Sequence, residues 1–145
     1  MKNKQDMIAY CGLYCADCFM HKGTIADLAR DLRKELRKNK MDRFARLISK
    51  YWKPYANYDT TYELLGMMVK LRCKRACRNG GGPPNCKIRM CCVKKSITGC
   101  WECGEFETCR KLDFLKAIHK DGHIKNLRKL RKQGANKFLR GKRDW

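Results

Sequence analysis

Cys73-Lys-Arg-Ala-Cys77-Arg-Asn-Gly-Gly-Gly-Pro-Pro-Asn-Cys86-Lys-Ile-Arg-Met-Cys91-Cys92, followed by Cys100-Trp-Glu-Cys103-Gly-Glu-Phe-Glu-Thr-Cys109, puts eight cysteines into 37 residues. Three residues separate Cys73 from Cys77, four separate Cys86 from Cys91, and two separate Cys100 from Cys103. Pairs at that spacing form knuckles tight enough to set two sulfurs on one tetrahedral ion. The run Gly80 to Pro84 between them suits neither helix nor strand and must be loop. Lys87 to Lys95 has room for one short helix between ligand loops. The stretch therefore reads as loops pinned by metal, with short helices between them.

Upstream, Cys11-Gly-Leu-Tyr-Cys15-Ala-Asp-Cys18 adds another knuckle. Residues 24–71 lack cysteine and read as helical. Ile25, Leu28, Leu32 and Leu36 recur at helical spacing, as do Phe44, Leu47, Ile48 and Tyr51, and these stripes are expected to be core. Thr24 with Asp27 is a weak capping signal, and Thr60 with Glu63 a better one, opening a helix that carries Leu64, Met68 and Leu71. Pro54 should end the middle helix near Lys53. Downstream, Leu112, Leu115 and Ile118 suggest one helix, and Ile124, Leu127 and Leu130 another that stops at Gly134. No period-two alternation is long enough for a sheet. The expected fold is all-α: one domain over residues 1–145, with a metal-binding core at 7–109 and a basic helical extension at 110–145.

Eleven cysteines are an odd number, so a disulfide framework cannot use them all. The start is polar, without a secretory h-region, and no run of eighteen apolar residues occurs. A reducing, cytoplasmic setting without membrane insertion is expected, where clustered thiols bind metal more often than they pair. Zinc is the first choice, as two ions, because all-sulfur tetrahedral sites suit zinc or iron–sulfur clusters. An iron–sulfur cluster is the alternative. Proximity along the chain suggests Cys73, Cys77, Cys86 and Cys91 on one ion. Cys100, Cys103 and Cys109 would then hold the other, with one or more of Cys11, Cys15 and Cys18. Cys92, adjacent to Cys91, reads as a packed thiol. His21, His119 and His123 read as ordinary surface histidines.

Cys11-x-x-x-Cys15-x-x-Cys18 also has the spacing of the radical-SAM iron–sulfur motif. That chemistry needs a large barrel of alternating strands and helices, which this helical chain cannot build. Asp17 stands where an aromatic residue is usual, and no Gly-rich segment follows.

The three blocks from Ala9 to Cys18, from Cys86 to Cys91 and from Cys100 to Cys109 together resemble the cysteine-rich domain-of-unknown-function family numbered 3795, from Ile8 to about Leu112. The resemblance implies a small, zinc-binding prokaryotic protein without an established activity. It carries a ligand role to Cys11, Cys15, Cys18, Cys86, Cys91, Cys100, Cys103 and Cys109. Thr108 stands where the family has proline, and the wider gap between Cys73 and Cys77 departs from the family's central knuckle. The family often has alanine at the position of Cys92, which supports a non-ligand role there.

The balance of 35 Lys and Arg against 14 Asp and Glu gives a net charge of +21. Such a field attracts polyanions, either nucleic acid or an acidic protein. Lys125, Arg128, Lys129 and Lys132 form one cationic stripe at helical spacing, which is either an anion-binding face or simply a solvated one. Aromatic residues for base stacking are sparse beside it. No nucleophile–base pair, phosphate loop or carboxylate pair stands out, so no catalytic residue is assigned. A second functional class uses surplus thiols, Cys92 and one or two of Cys11, Cys15 and Cys73, as a redox switch beside Lys74, Arg75, Lys94 and Lys95.

Overall fold

The structure, a computed structural model, describes residues 4–145. Seven α-helices follow one another: α1 (Phe19–Lys22), α2 (Thr24–Lys38), α3 (Met41–Ile48), α4 (Tyr58–Lys70), α5 (Lys87–Lys94), α6 (Lys116–His119) and α7 (Gly122–Arg140). Short 3-10 turns lie between several of them. No strand occurs among the described residues, only an isolated bridge between Ile8 and Tyr14. The fold is all-α. Its contacts divide it into two compact units, one of Met1–His21 with Lys74–Trp145, the other of Lys22–Cys73.

In the Lys22–Cys73 unit, α2 packs against α4 through its small residues. Ala26 and Ala29 are buried, and Arg33 lies against Gly66, where a Cβ would meet its guanidinium at 3.1 Å. The Arg33 guanidinium also covers the Tyr62 ring at 4.4 Å, and Arg37 donates to the Tyr62 hydroxyl at 2.7 Å. The expected apolar stripes are mostly exposed, with Leu36, Ile48 and Met68 half-buried. Leu28 is 64% exposed and Leu47 67%, and Ile25, Leu32, Phe44, Tyr51 and Leu64 are exposed as well. The expectation that these stripes are core does not hold: the buried residues of α2 are Ala26 and Ala29 and that of α3 is Ala45. The expected caps differ too. Gly23, in the left-handed region, caps α2 without a side-chain bond, and Asp27 pairs instead with Arg30 and Arg72. α4 begins at Tyr58, which leaves Thr60 inside it. α3 stops at Ile48, and Pro54 sits in a following 3-10 turn, Lys53–Asn57.

The other unit has the larger core. Ile88, Cys92, Cys100, Phe106, Leu112 and Leu127 form one cluster, and Ile8, Leu130 and Phe138 a second. α7 supplies residues to both. Residues 110–145 are therefore part of the packing of this unit. Gly12, at φ 83°, lets the N-terminal loop approach α7: a Cβ there would meet Leu127 Cδ2 at 2.9 Å. Gly134 breaks the helical path (φ 76°, ψ 168°), as the expected stop, but helix resumes to Arg140. Residues beyond α7 fold back over it. Asn126 donates to the Asp144 carbonyl at 2.7 Å and accepts from its amide at 2.9 Å. Arg143 donates to Asp17 at 2.7 Å.

This return path covers the two histidines of the segment, which are not surface residues. His119 is 9% exposed and His123 0%, and the Trp145 ring stands edge-on to His119 at 4.8 Å. Neither ring nitrogen of His123, nor Nδ1 of His119, has a hydrogen-bond partner among the described residues. Burial lowers both pKa values below the ordinary 6.5, with His119 and Lys116 adding to the effect on His123. Protonation therefore favours the unfolded chain. The stability held by neutral imidazoles is complete above about pH 6.5 and falls as pH drops through the lower folded values. Thermal unfolding of the apo protein should show a lower midpoint at pH 5.5 than at pH 7.5. The His123→Leu variant should show a smaller difference.

Candidate metal centre

Cysteine side chains reach the centre of the larger unit from three separate parts of the chain. Arg78 joins them. Its Nε donates to the Ile8 carbonyl at 2.8 Å and its Nη2 to the Thr98 carbonyl at 2.6 Å. Its guanidinium covers Tyr10 at 4.7 Å and Trp101 at 5.6 Å. The Cys100 amide donates to the Tyr10 carbonyl at 2.8 Å. The block beginning at Cys11 is thereby held against the block beginning at Cys100, 89 residues later.

The loop between Cys77 and Cys86 is fixed by Arg89, one turn into α5. Its guanidinium donates to the carbonyls of Cys77 at 3.2 Å, Gly81 at 2.7 Å, and Pro83 and Pro84, both at 2.9 Å. A loop with two prolines cannot close its own backbone ladder, and the planar fork supplies the missing donors. Gly81 is required there by space, since a Cβ would lie 1.8 Å from the Arg75 carbonyl oxygen. Sequence reasoning alone misses both arginines. A donor-rich side chain soon after a Gly-Pro loop is the signal that could have found Arg89.

Nine of the eleven cysteines fall into two neighbouring groups. The first contains Cys11, Cys15, Cys77 and Cys86. The Cys77 amide donates to Cys15 Sγ at 3.4 Å. Burial pushes the Cys11 thiol up to about 12, and the charges of Cys77, Cys86 and Cys15 each add to the rise. Burial also raises Cys77, followed by the charge of Cys86, while the Tyr10 backbone and Arg89 oppose it. The Cys18 amide donates to the Cys15 carbonyl at 3.1 Å, which closes that knuckle. No hydrogen bond joins its sulfur to another cysteine among the described residues.

The second group lines a cavity of about 50 Å³: Cys91, Cys92, Cys100, Cys103 and Cys109. Cys92 Sγ lies 3.6 Å from Cys100 Sγ. That hydrogen bond lowers the Cys92 pKa, with Arg78 and Lys95 helping, and raises that of Cys100, with burial adding to it. Lys95 Nζ lies 3.6 Å from Cys103 Sγ. No disulfide joins any of the eleven.

This grouping differs from the one suggested by proximity along the chain. Cys86 caps α5, whereas Cys91 and Cys92 lie within it. Cys86 lies near Cys77 and Cys11, whereas Cys91 lines the cavity with Cys100, Cys103 and Cys109. Cys73 ends the other compact unit.

The donor chemistry suits a soft or borderline ion, because either group alone supplies four sulfurs. Among the described residues, however, no three His, Cys, Asp or Glu side chains converge closely enough to hold an ion. The sulfurs of each group share a neighbourhood without meeting at one point.

The cationic stripe on α7 is engaged inside the molecule. Lys125 pairs with Asp121 at 3.2 Å, Arg128 with Glu107 through two donors at 2.8 and 2.5 Å, and Lys129 with Asp144 at 2.5 Å. Lys132 is exposed. A separate open hollow of about 710 Å³ lies beside the second cysteine group, lined by Lys87, Met90, Cys91, Lys94, Lys95 and Lys111. Among the described residues Lys87, Lys94 and Lys111 have no salt-bridge partner.

Residues 7–114 match the family model described as protein of unknown function (DUF3795). The chain belongs to this family. Neither a curated protein nor a solved structure matches it. The family match spans both cysteine groups and ends before α7. No helix is long and apolar enough to cross a membrane among the described residues.

Replacing Arg89 with Lys keeps the charge but loses the four-carbonyl fork. The Arg89→Lys variant should lose about 1–3 kcal/mol of stability in urea unfolding.

Proposed function

We propose that the protein is a zinc-binding module in which two ions close the two cysteine groups and serve a structural role. The observation that carries this reading is the collection of nine cysteines from three chain segments into two neighbouring groups in one compact unit. Cys11, Cys15, Cys77 and Cys86 would hold one ion. Cys91, Cys100, Cys103 and Cys109 would hold the other, leaving Cys92 packed beside it. Four thiolates leave no open position for a substrate, and binding contributes directly to folding. The high pKa of Cys11 fits this role. A buried thiol that resists ionisation in the apo protein ionises when a cation supplies the compensating charge. The partner is an anionic macromolecule, nucleic acid or acidic protein, and the lysine-lined hollow suits it better than the internally paired α7 stripe.

An iron–sulfur cluster is the second reading, because the same all-sulfur donors would serve it. Elemental mass spectrometry on protein purified under reducing, oxygen-free conditions should find about two zinc ions per chain and no visible absorbance. Iron with sulfide and a brown colour would overturn the zinc assignment. Removing zinc with a chelator should lower the unfolding temperature and loosen the larger unit in hydrogen exchange, and re-addition should restore both.

A further inference from the structure

The second cysteine group has five sulfurs around a centre that needs four. The fifth, Cys92, is 1% exposed, and its contact is with another cysteine of the group: Cys100, 9% exposed, at 3.6 Å between sulfurs. They come from different elements, Cys92 from the middle of α5 and Cys100 from the 3-10 turn Cys100–Glu102. Closing 3.6 Å to the S–S bond length of about 2.05 Å asks for side-chain rotation rather than rearrangement of the chain. Both thiols line the same cavity of about 50 Å³. That space admits a molecule the size of a peroxide and excludes bulky disulfide reagents.

We infer that Cys92 and Cys100 form a peroxide-oxidisable dithiol, and that joining them withdraws a ligand and releases the ion of the second centre. This rests on the reading of Cys100 as a ligand and Cys92 as its unligated neighbour. In the first step the Cys92 sulfur attacks one peroxide oxygen. An S–O bond forms, the O–O bond breaks, and the departing hydroxide takes a proton to become water. Cys92 is now a sulfenic acid. In the second step the Cys100 thiolate attacks that sulfur. The S–S bond forms, the S–O bond breaks, and hydroxide leaves and is protonated to a second water. Two electrons pass from the sulfurs to the peroxide oxygens. The Cys100 sulfur has committed its electron pair to the disulfide and no longer holds the ion as a thiolate, so a three-thiolate centre remains.

The experiment uses the full chain, zinc-loaded and oxygen-free, with zinc counted before oxidation. Hydrogen peroxide is then added in modest excess, zinc release is followed with a chromogenic chelator, and disulfides are mapped by peptide mass spectrometry. Wild type should release about one zinc per chain as a Cys92–Cys100 disulfide accumulates. Cys92→Ala should start with the same zinc content and release it at least tenfold more slowly. Cys92→Ser, closer in volume, serves as the second variant and should behave alike. Release at the wild-type rate from both loaded variants, or a disulfide that excludes Cys92, overturns the inference while leaving zinc binding intact. A wild-type chain that holds no zinc before peroxide overturns the metal reading itself, and this inference with it.

Discussion

The arrangement of the larger unit depends on Arg78. Its guanidinium is planar, carries five donors and presents two faces, so one side chain both bonds to carbonyls and covers aromatic rings. Here it bonds to Ile8 and Thr98 while its guanidinium lies over Tyr10 and Trp101. Those four residues flank the first and last cysteine blocks. The N-terminal knuckle is also tied in by the Tyr10–Cys100 backbone bond, the Cys77 amide on Cys15 Sγ, the Arg143–Asp17 pair and the packing of Gly12 on Leu127. Lysine could match the charge but neither the two-carbonyl geometry nor the stacking.

A second constraint is the rigidity of α5. Once residues 87–94 are helical, Cys86 and Cys91 point into different neighbourhoods, and each must find partners from elsewhere in the chain. Helix formation thus divides the cysteines before any ion is involved. It also separates Cys91 from Cys92 by the ordinary turn of about 100° per residue. Cys92 turns into the apolar cluster with Ile88, while Cys91 stays half-buried at the edge of the lysine-lined hollow.

Much of this was legible in the chain itself. The helical periods marked an all-α chain, the Gly-Pro run marked the loop, and Lys87 to Lys95 marked α5 nearly to the residue. The grouping of the knuckles was hidden because it depends on tertiary contacts such as those of Arg78 rather than on distance along the sequence. His119 and His123 were misread because the residues after α7 fold back toward them, with Trp145 against His119, which local spacing does not reveal. The stripes of α2 and α3 show a different limit. A hydrophobic period identifies a face, but the buried face of α2 carries Ala26 and Ala29, and Gly66 on α4 leaves room for the Arg33 guanidinium.

A net charge of +21 says little about partners until the cations are sorted by what they do. Arg78 and Arg89 satisfy loop carbonyls. Lys125, Arg128, Lys129 and Arg143 meet acids: Lys129 joins α7 to the segment after it, and Arg128 and Arg143 join these to other parts of the same unit. Lys95 faces Cys103 and Glu105. In the proposed reading a four-thiolate zinc site would have a net charge of about −2, and cations near the sulfurs would serve as its counter-charge. After those roles are assigned, Lys87, Lys94 and Lys111 remain grouped around one hollow beside the second cysteine group. They mark a part of the surface where positive charge without an acid partner among the described residues coincides with concave shape, which neither total charge nor helical spacing along α7 could locate.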